Sequence, residues 1–259
     1  MVTIIRMEEN PNWNLPLITE SWKLICDAGR QLKIPLSPTI STAMFYLHHY
    51  FEVSGQLDLT LFQIVILATF VSSKTEETFC KADDVIQSFV TSATTRDSRV
   101  LQILGTSLEE LECLHNINSD DFEDFRKKLL DSELDFMTEM KWTFPNQNPF
   151  FVLSKWVSII GKELGQMPKS LEQTTIDILS ILYLFPDSIH IDIKDLAASA
   201  LEYSWRKLQF STTEGIPHWT KFIEYDVNGP VFYTLLERIT NWENEKNSEK
   251  EEEKKEKRE

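Results

Sequence analysis

Two charged side chains stand where the helical pattern asks for apolar ones. In LTLFQIVILATFVSSK, the residues Ile64, Leu67, Val71 and Lys74 follow at spacings of 3, 4 and 3. Lys74 therefore closes the apolar stripe of the most hydrophobic helix-forming stretch in the chain. Further on, Phe122, Phe125, Leu129, Glu133, Phe136 and Met140 follow at 3, 4, 4, 3 and 4, with Glu133 in the middle of an otherwise apolar face. A lone carboxylate buried in such a face costs several kcal/mol unless it is paired. Two arrangements meet that cost. Lys74 and Glu133 can pair with each other, or simply reach water at the edge of a bundle. Alternatively both line an exposed apolar patch and hydrogen-bond to the backbone or charges of a docked partner.

Other chemistry is sparse. The five histidines, His48, His49, His115, His190 and His218, show no HExxH or other metal-ligand spacing, and Cys26, Cys80 and Cys113 form no CxxC pair. There is no GxGxxG, P-loop or GxSxG segment. Adjacent helical residues point in different directions, so His48 and His49 read as structural or surface residues. The expectation is a protein with no catalytic residue, no cofactor and no metal. One alternative is an all-helical enzyme with metal among Glu109, Glu110, Glu112, Asp120, Asp121, Glu123 and Asp124, but these lack a coordination-loop pattern.

Charge narrows the partners. Asp and Glu number 41 against 26 Lys and Arg, a formal net charge of -15. That balance disfavours nucleic-acid backbones and anionic membrane surfaces, both of which are held by Lys and Arg. Residues 109–135 hold ten acids and three bases, which reads as a solvated acidic loop, or less readily as a docking site for a basic partner. Three widely spaced cysteines make no disulfide framework and suit a reducing intracellular compartment, nuclear or cytoplasmic. The segment MVTIIRMEENPNWN does not have the form of a secretory leader. The longest near-continuous apolar run, Leu61 to Val71, is 11 residues and contains Gln63, too short to span a bilayer.

The elements that position Lys74 and Glu133 read as nearly all helical. Only 7 glycines occur, and the 10 prolines lie mostly between periodic stretches. The spacing predicts helices from about Ile18 to Leu32, from Ser37-Pro38 through Phe51, from an Asp58 cap through Lys74, over Ala82 to Ser92, and over Asp120 to Trp142. Asp120 and Glu123 there lie at capping-box spacing. Residues 93–121 are polar and irregular. After Pro145 and Asn148-Pro149 a second series follows: Phe150 to Leu164, Ser170 to Phe185, Asp192 to Leu208, Pro217 to Val227 and Pro230 to Trp242. Within it, KDLAASALEYSW is small and apolar on most sides, and its LAASALE can be laid over IVILATF of the first series. The reading is an N-terminal arm at 1–15, a five-helix bundle at 16–144, a second at 145–242, and a charged tail at 243–259. The tail holds eight acids, six bases and no apolar anchor, so it is a solvated helix extension or disordered.

At these residues the chain resembles the cyclin family. TISTAMFYLHHYF, LFQIVILATFVSSKTEE and SELDFMTEMKWTFPNQNPFFVL look like the cyclin box, whose central helix ends in Leu-Ala-x-Lys-x-x-Glu and whose fifth helix carries a Glu about nine residues before an aromatic. FVSSKTEE supplies Lys74 and Glu77, and Glu133 precedes Trp142 at that spacing. The resemblance spans about residues 16–240 and is nearest to the family's transcription-associated group. It implies an all-α fold of two tandem five-helix cyclin boxes. It also implies a noncatalytic subunit that forms a heterodimer with a cyclin-dependent kinase and activates it, without touching nucleic acid or membrane. Lys74, Glu77, Glu133 and Trp142 would be the kinase-binding residues. Three departures stand out. Thr75 replaces a residue that is often bulky and apolar, the 93–121 loop is longer and more acidic, and ITESWKLICDAGR lacks the Met-Arg-Ala-Ile-Leu type segment that docks substrates. A cyclin-like module acting as a transcription-factor scaffold is the alternative.

Overall fold

The computed structural model describes residues 15–53, 57–145, 148–165, 169–210, 217–223, 225 and 229–256. The expected arm at 1–15 lies outside them save for Leu15, as do the last three residues of the tail. Among the described residues the chain is all-α, with eleven α-helices. It divides into two compact units, Met1–Asn148 and Pro149–Glu259.

The first unit holds α1 (Leu15–Leu32), α2 (Ser41–Glu52), α3 (Leu61–Thr75), α4 (Ala82–Ala93), α5 (Ser98–Leu104), α6 (Leu108–Cys113) and α7 (Asp120–Glu139). A helix apolar all round has no face to give to water, so it takes the centre. α3 does so: it packs against α1, α2, α4, α5 and α7, and every side chain from Ile64 to Ser73 is buried. Its hydroxyls stay paired because Thr69, Ser72 and Ser73 donate to the carbonyls of Val65, Thr69 and Phe70.

Three local expectations need correction. Thr60, not Asp58, caps α3, in a reciprocal capping box with Gln63. Ser119, not Asp120, caps α7 through the Phe122 amide, and Glu123 instead pairs with Arg126 at 2.9 Å. α2 begins at Ser41 after a wider turn over Leu36–Ile40, in which Ser37 is extended. The 93–121 segment is also ordered: Leu101, Leu104, Leu111 and Leu114 are buried. Helices of seven and six residues, α5 and α6, are too short for a periodic signal. They form because each drops a few leucines onto the body. Gly105 joins them in the left-handed region at φ 69°, with the Thr60 side chain 3.3 Å from where a Cβ would stand.

The second unit holds α8 (Pro149–Glu163), α9 (Lys169–Leu182), α10 (Ile193–Lys207) and α11 (Pro230–Glu256). α10 packs against α8, α9 and α11 and is buried from Leu196 to Glu202. The expected helix over Pro217 to Val227 is replaced, among its described residues, by a 3-10 turn at Trp219–Lys221. Trp219 is buried and donates its indole N–H to Glu202 at 2.6 Å, which fixes the segment by a side chain rather than by a helical ladder. Among the described residues the unit thus holds four α-helices and short turns where five helices were expected, and the first unit holds seven. α11 continues as helix through Glu256, and Glu243 at the start of the expected tail is tied to the body by Tyr203 (2.8 Å) and Lys207 (2.5 Å).

Candidate partner-docking site

α3 and α7 carry the site. Lys74 lies in the last turn of α3, where the carbonyl ends of the helix favour a cation. Its Nζ sits 4.2 Å from the centroid of the Phe70 ring, one turn earlier. The same Nζ donates to both carboxylate oxygens of Glu133 on α7, at 2.7 Å each. The two side chains are 39% and 28% exposed. An ion pair so open to water contributes at most about 1 kcal/mol.

The end of α3 is braced from α2 and the turn before it. Thr42 donates to Glu76 at 2.7 Å, Tyr46 donates to Thr75 at 3.2 Å, and the hydroxyls of Thr39 and Thr78 are 2.8 Å apart. Thr75 accepts the phenol of the buried Tyr46, and burial pushes the pKa of that phenol above its ordinary value, keeping it protonated. None of these braces is visible in the helical pattern, because they link residues 29 to 39 positions apart.

Both helices end on the same closure. After α3, Thr78 N donates to Ser73 O and Glu77 N to Lys74 O, with Glu77 at φ 55°. After α7, Trp142 N donates to Met137 O and Lys141 N to Thr138 O, with Lys141 and Trp142 at φ 51° and 54°. These are Schellman caps with side chains in positions that usually hold glycine, as at Lys33 after α1. His49 adds a tie, its Nε2 lying 3.3 Å from the Met140 carbonyl.

Of the four residues singled out from the sequence, Lys74 and Glu133 are brought into direct contact. Glu77 is exposed one turn past Lys74. Trp142 is 53% exposed on the turn after α7 and, among the described residues, makes no hydrogen bond to the pair. Leu134, adjacent to Glu133 in the chain, is 62% exposed, and Phe79, five residues after Lys74, is 76% exposed. The sequence stripes gave no sign of either.

The arrangement offers a part-exposed cation and carboxylate held together across two helices, which suits recognition. Among the described residues no three His, Cys, Asp or Glu side chains converge as a metal would need, and no helix is long and apolar enough to cross a membrane. No protein-family model matches the chain, and no curated protein compared with it matches.

Proposed function

We propose that the chain is a cyclin-type regulatory subunit, itself noncatalytic, that binds a cyclin-dependent kinase as a heterodimer and activates it. The observation that carries this reading is the Lys74–Glu133 pair, which bridges α3 and α7 with both side chains part-exposed; Leu134, adjacent to Glu133 in the chain, and Phe79, five residues after Lys74, are uncovered. A pair this open separates at little cost. Its ammonium and carboxylate can therefore exchange their mutual bonds for a partner's backbone carbonyls and amides. Glu77 extends the acidic side of that surface, and Trp142 supplies a flat wall for a docked helix. The kinase's mobile helix would dock here, completing the Lys–Glu pair of the kinase active site and releasing its activation loop. The subunit activates by binding the active kinase conformation more tightly than the inactive one. Within that family the segments LICDAGRQLKIP and HWTKFIEYDVNGPVFYTLLERI resemble cyclin Q, with cyclins C, K and L as close alternatives. A nuclear or cytoplasmic setting, with no direct contact to nucleic acid, goes with that reading.

The bidentate geometry also favours a second reading, in which the pair only staples α3 to α7. Mixing the purified chain with a panel of cyclin-dependent kinase catalytic subunits, by calorimetry and phosphotransfer assay, separates the two. In the regulatory reading one kinase binds and is activated, and Lys74→Glu and Glu133→Lys each weaken binding by about tenfold or more. The swapped double variant does not recover binding to wild-type kinase. A swapped variant that binds normally assigns the pair to the staple, and no binding across the panel removes the regulatory reading.

A further inference from the structure

The opposite end of α3 carries a different feature. A cavity of about 280 Å³ opens between the N-terminus of α3, the α5–α6 turn and the N-terminal turns of α7. Its floor is apolar. Phe62 and Leu114 are buried, and the Phe125 ring is tilted against Phe62 with centroids 6.3 Å apart. Its exposed lining is acidic, with Glu110 and Asp121, and includes Cys113.

The rim charge is held in place. Glu110 is the carboxylate of the α6 capping box, and its Oε2 accepts Ser107 N at 2.9 Å and Thr106 Oγ1 at 3.1 Å. Both bonds fall on one oxygen, and among the described residues Oε1 accepts none. A carboxylate fixed in this way loses little freedom when it meets a cation. The surroundings add to it, since residues 109–135 carry ten acids against three bases.

We propose that this cavity is a second docking site. It takes an extended segment of a partner protein that presents one aliphatic or aromatic side chain beside Lys or Arg. The apolar side chain fills the floor over Phe62 and Phe125, and the basic neighbour meets Glu110 and Asp121. A dry apolar centre inside a wet charged rim is the layout of a protein interface. Nucleic acid and anionic lipid carry the wrong charge for this rim. The site is independent of the kinase reading, because α3 is 15 residues long and about 1.5 Å of rise per residue puts its two ends ~20 Å apart.

The test uses the intact chain and fluorescein-labelled synthetic peptides with a central Leu, Ile or Phe flanked by Lys and Arg. The same peptides with Glu flanks serve as twins, and anisotropy is read at low and high salt. Basic members bind, salt weakens them, and Glu110→Gln/Asp121→Asn weakens them by about tenfold or more. Glu237→Gln/Glu245→Gln, which removes two charges from α11, leaves binding within about twofold. Bound peptide also slows alkylation of Cys113 and not of Cys80, read by peptide mass mapping. The proposal is overturned if no basic peptide binds better than its acidic twin. It is equally overturned if the two double variants weaken binding alike, which means diffuse attraction to an acidic chain. Binding of anionic vesicles or duplex oligonucleotides in place of the peptides overturns it as well.

Discussion

Lys74 Nζ stands 2.7 Å from each oxygen of the Glu133 carboxylate, although the two residues are 59 positions apart in the chain. The contact is close and part-exposed. Its energetic and functional weights therefore differ. Reversing either charge is expected to lower stability by about 1 kcal/mol or less, read as the midpoint of urea unfolding, while under the proposed regulatory reading kinase binding would fall by about tenfold or more. A loss of several kcal/mol would instead mark the pair as a structural element.

Glu77 occupies the left-handed cap position after α3 at φ 55°. Glycine there avoids the Cβ penalty, so Glu77→Gly is expected to stabilise the first unit by about 1 kcal/mol. Lys141→Gly after α7 is expected to act in the same direction. Chemical denaturation checks both, and destabilisation by Glu77→Gly would show that its side chain contributes more than its backbone strain costs.

Glu202 is buried in the second unit and receives the indole N–H of Trp219, Arg206 Nε at 2.5 Å and His218 Nε2 at 3.0 Å. Glu202→Leu leaves the Trp219 N–H buried without an acceptor, at a cost of about 1–3 kcal/mol. Thermal melting with Trp fluorescence reads the loss. A neutral result would mean that the 217–223 segment is held by packing alone.

Alkaline stability follows from two raised groups. Burial pushes the Cys26 thiol up to about 12, against a cationic contribution from Arg30 that pulls it down. Burial, with a hydrogen bond to Glu243, pushes the Tyr203 phenol up to about 12. Each group binds its proton more tightly when folded, so its contribution is complete below the unfolded value, 9.0 for the thiol and 10.0 for the phenol. It is lost as pH rises towards about 12. Stability is expected to decline through that window, and Tyr203→Phe removes the phenol's share of the slope. Thiol alkylation near neutral pH is expected to modify the exposed Cys113 long before Cys26.

The acid side has the opposite sign. The hydrogen bond from Arg126 holds the Glu123 carboxyl below its usual value of 4.5, so its contribution is present above that value and fades as pH falls. Glu123→Gln removes it, and is expected to flatten the acid limb of the stability curve and to lower the neutral plateau only slightly, because the pair is open to water.

Element type was legible in this sequence wherever an apolar stripe ran for three turns or more, as in α3, α7, α8 and α10, because burial of one face enforces a 3.6-residue period. The central position of α3 was legible for the same reason. So were the two places where charge breaks a stripe, since a Lys or Glu cannot sit in a dry face without a partner. The tertiary structure decided the rest. It brought Lys74 onto Glu133 and chose the caps Thr60 and Ser119 over neighbouring aspartates. It folded the acidic 93–121 stretch into α5 and α6, and it replaced the helix expected after Pro217 with a turn pinned by Trp219 on Glu202. Each of these depends on side chains distant in the chain meeting in space, and periodicity describes only what a segment does along its own axis.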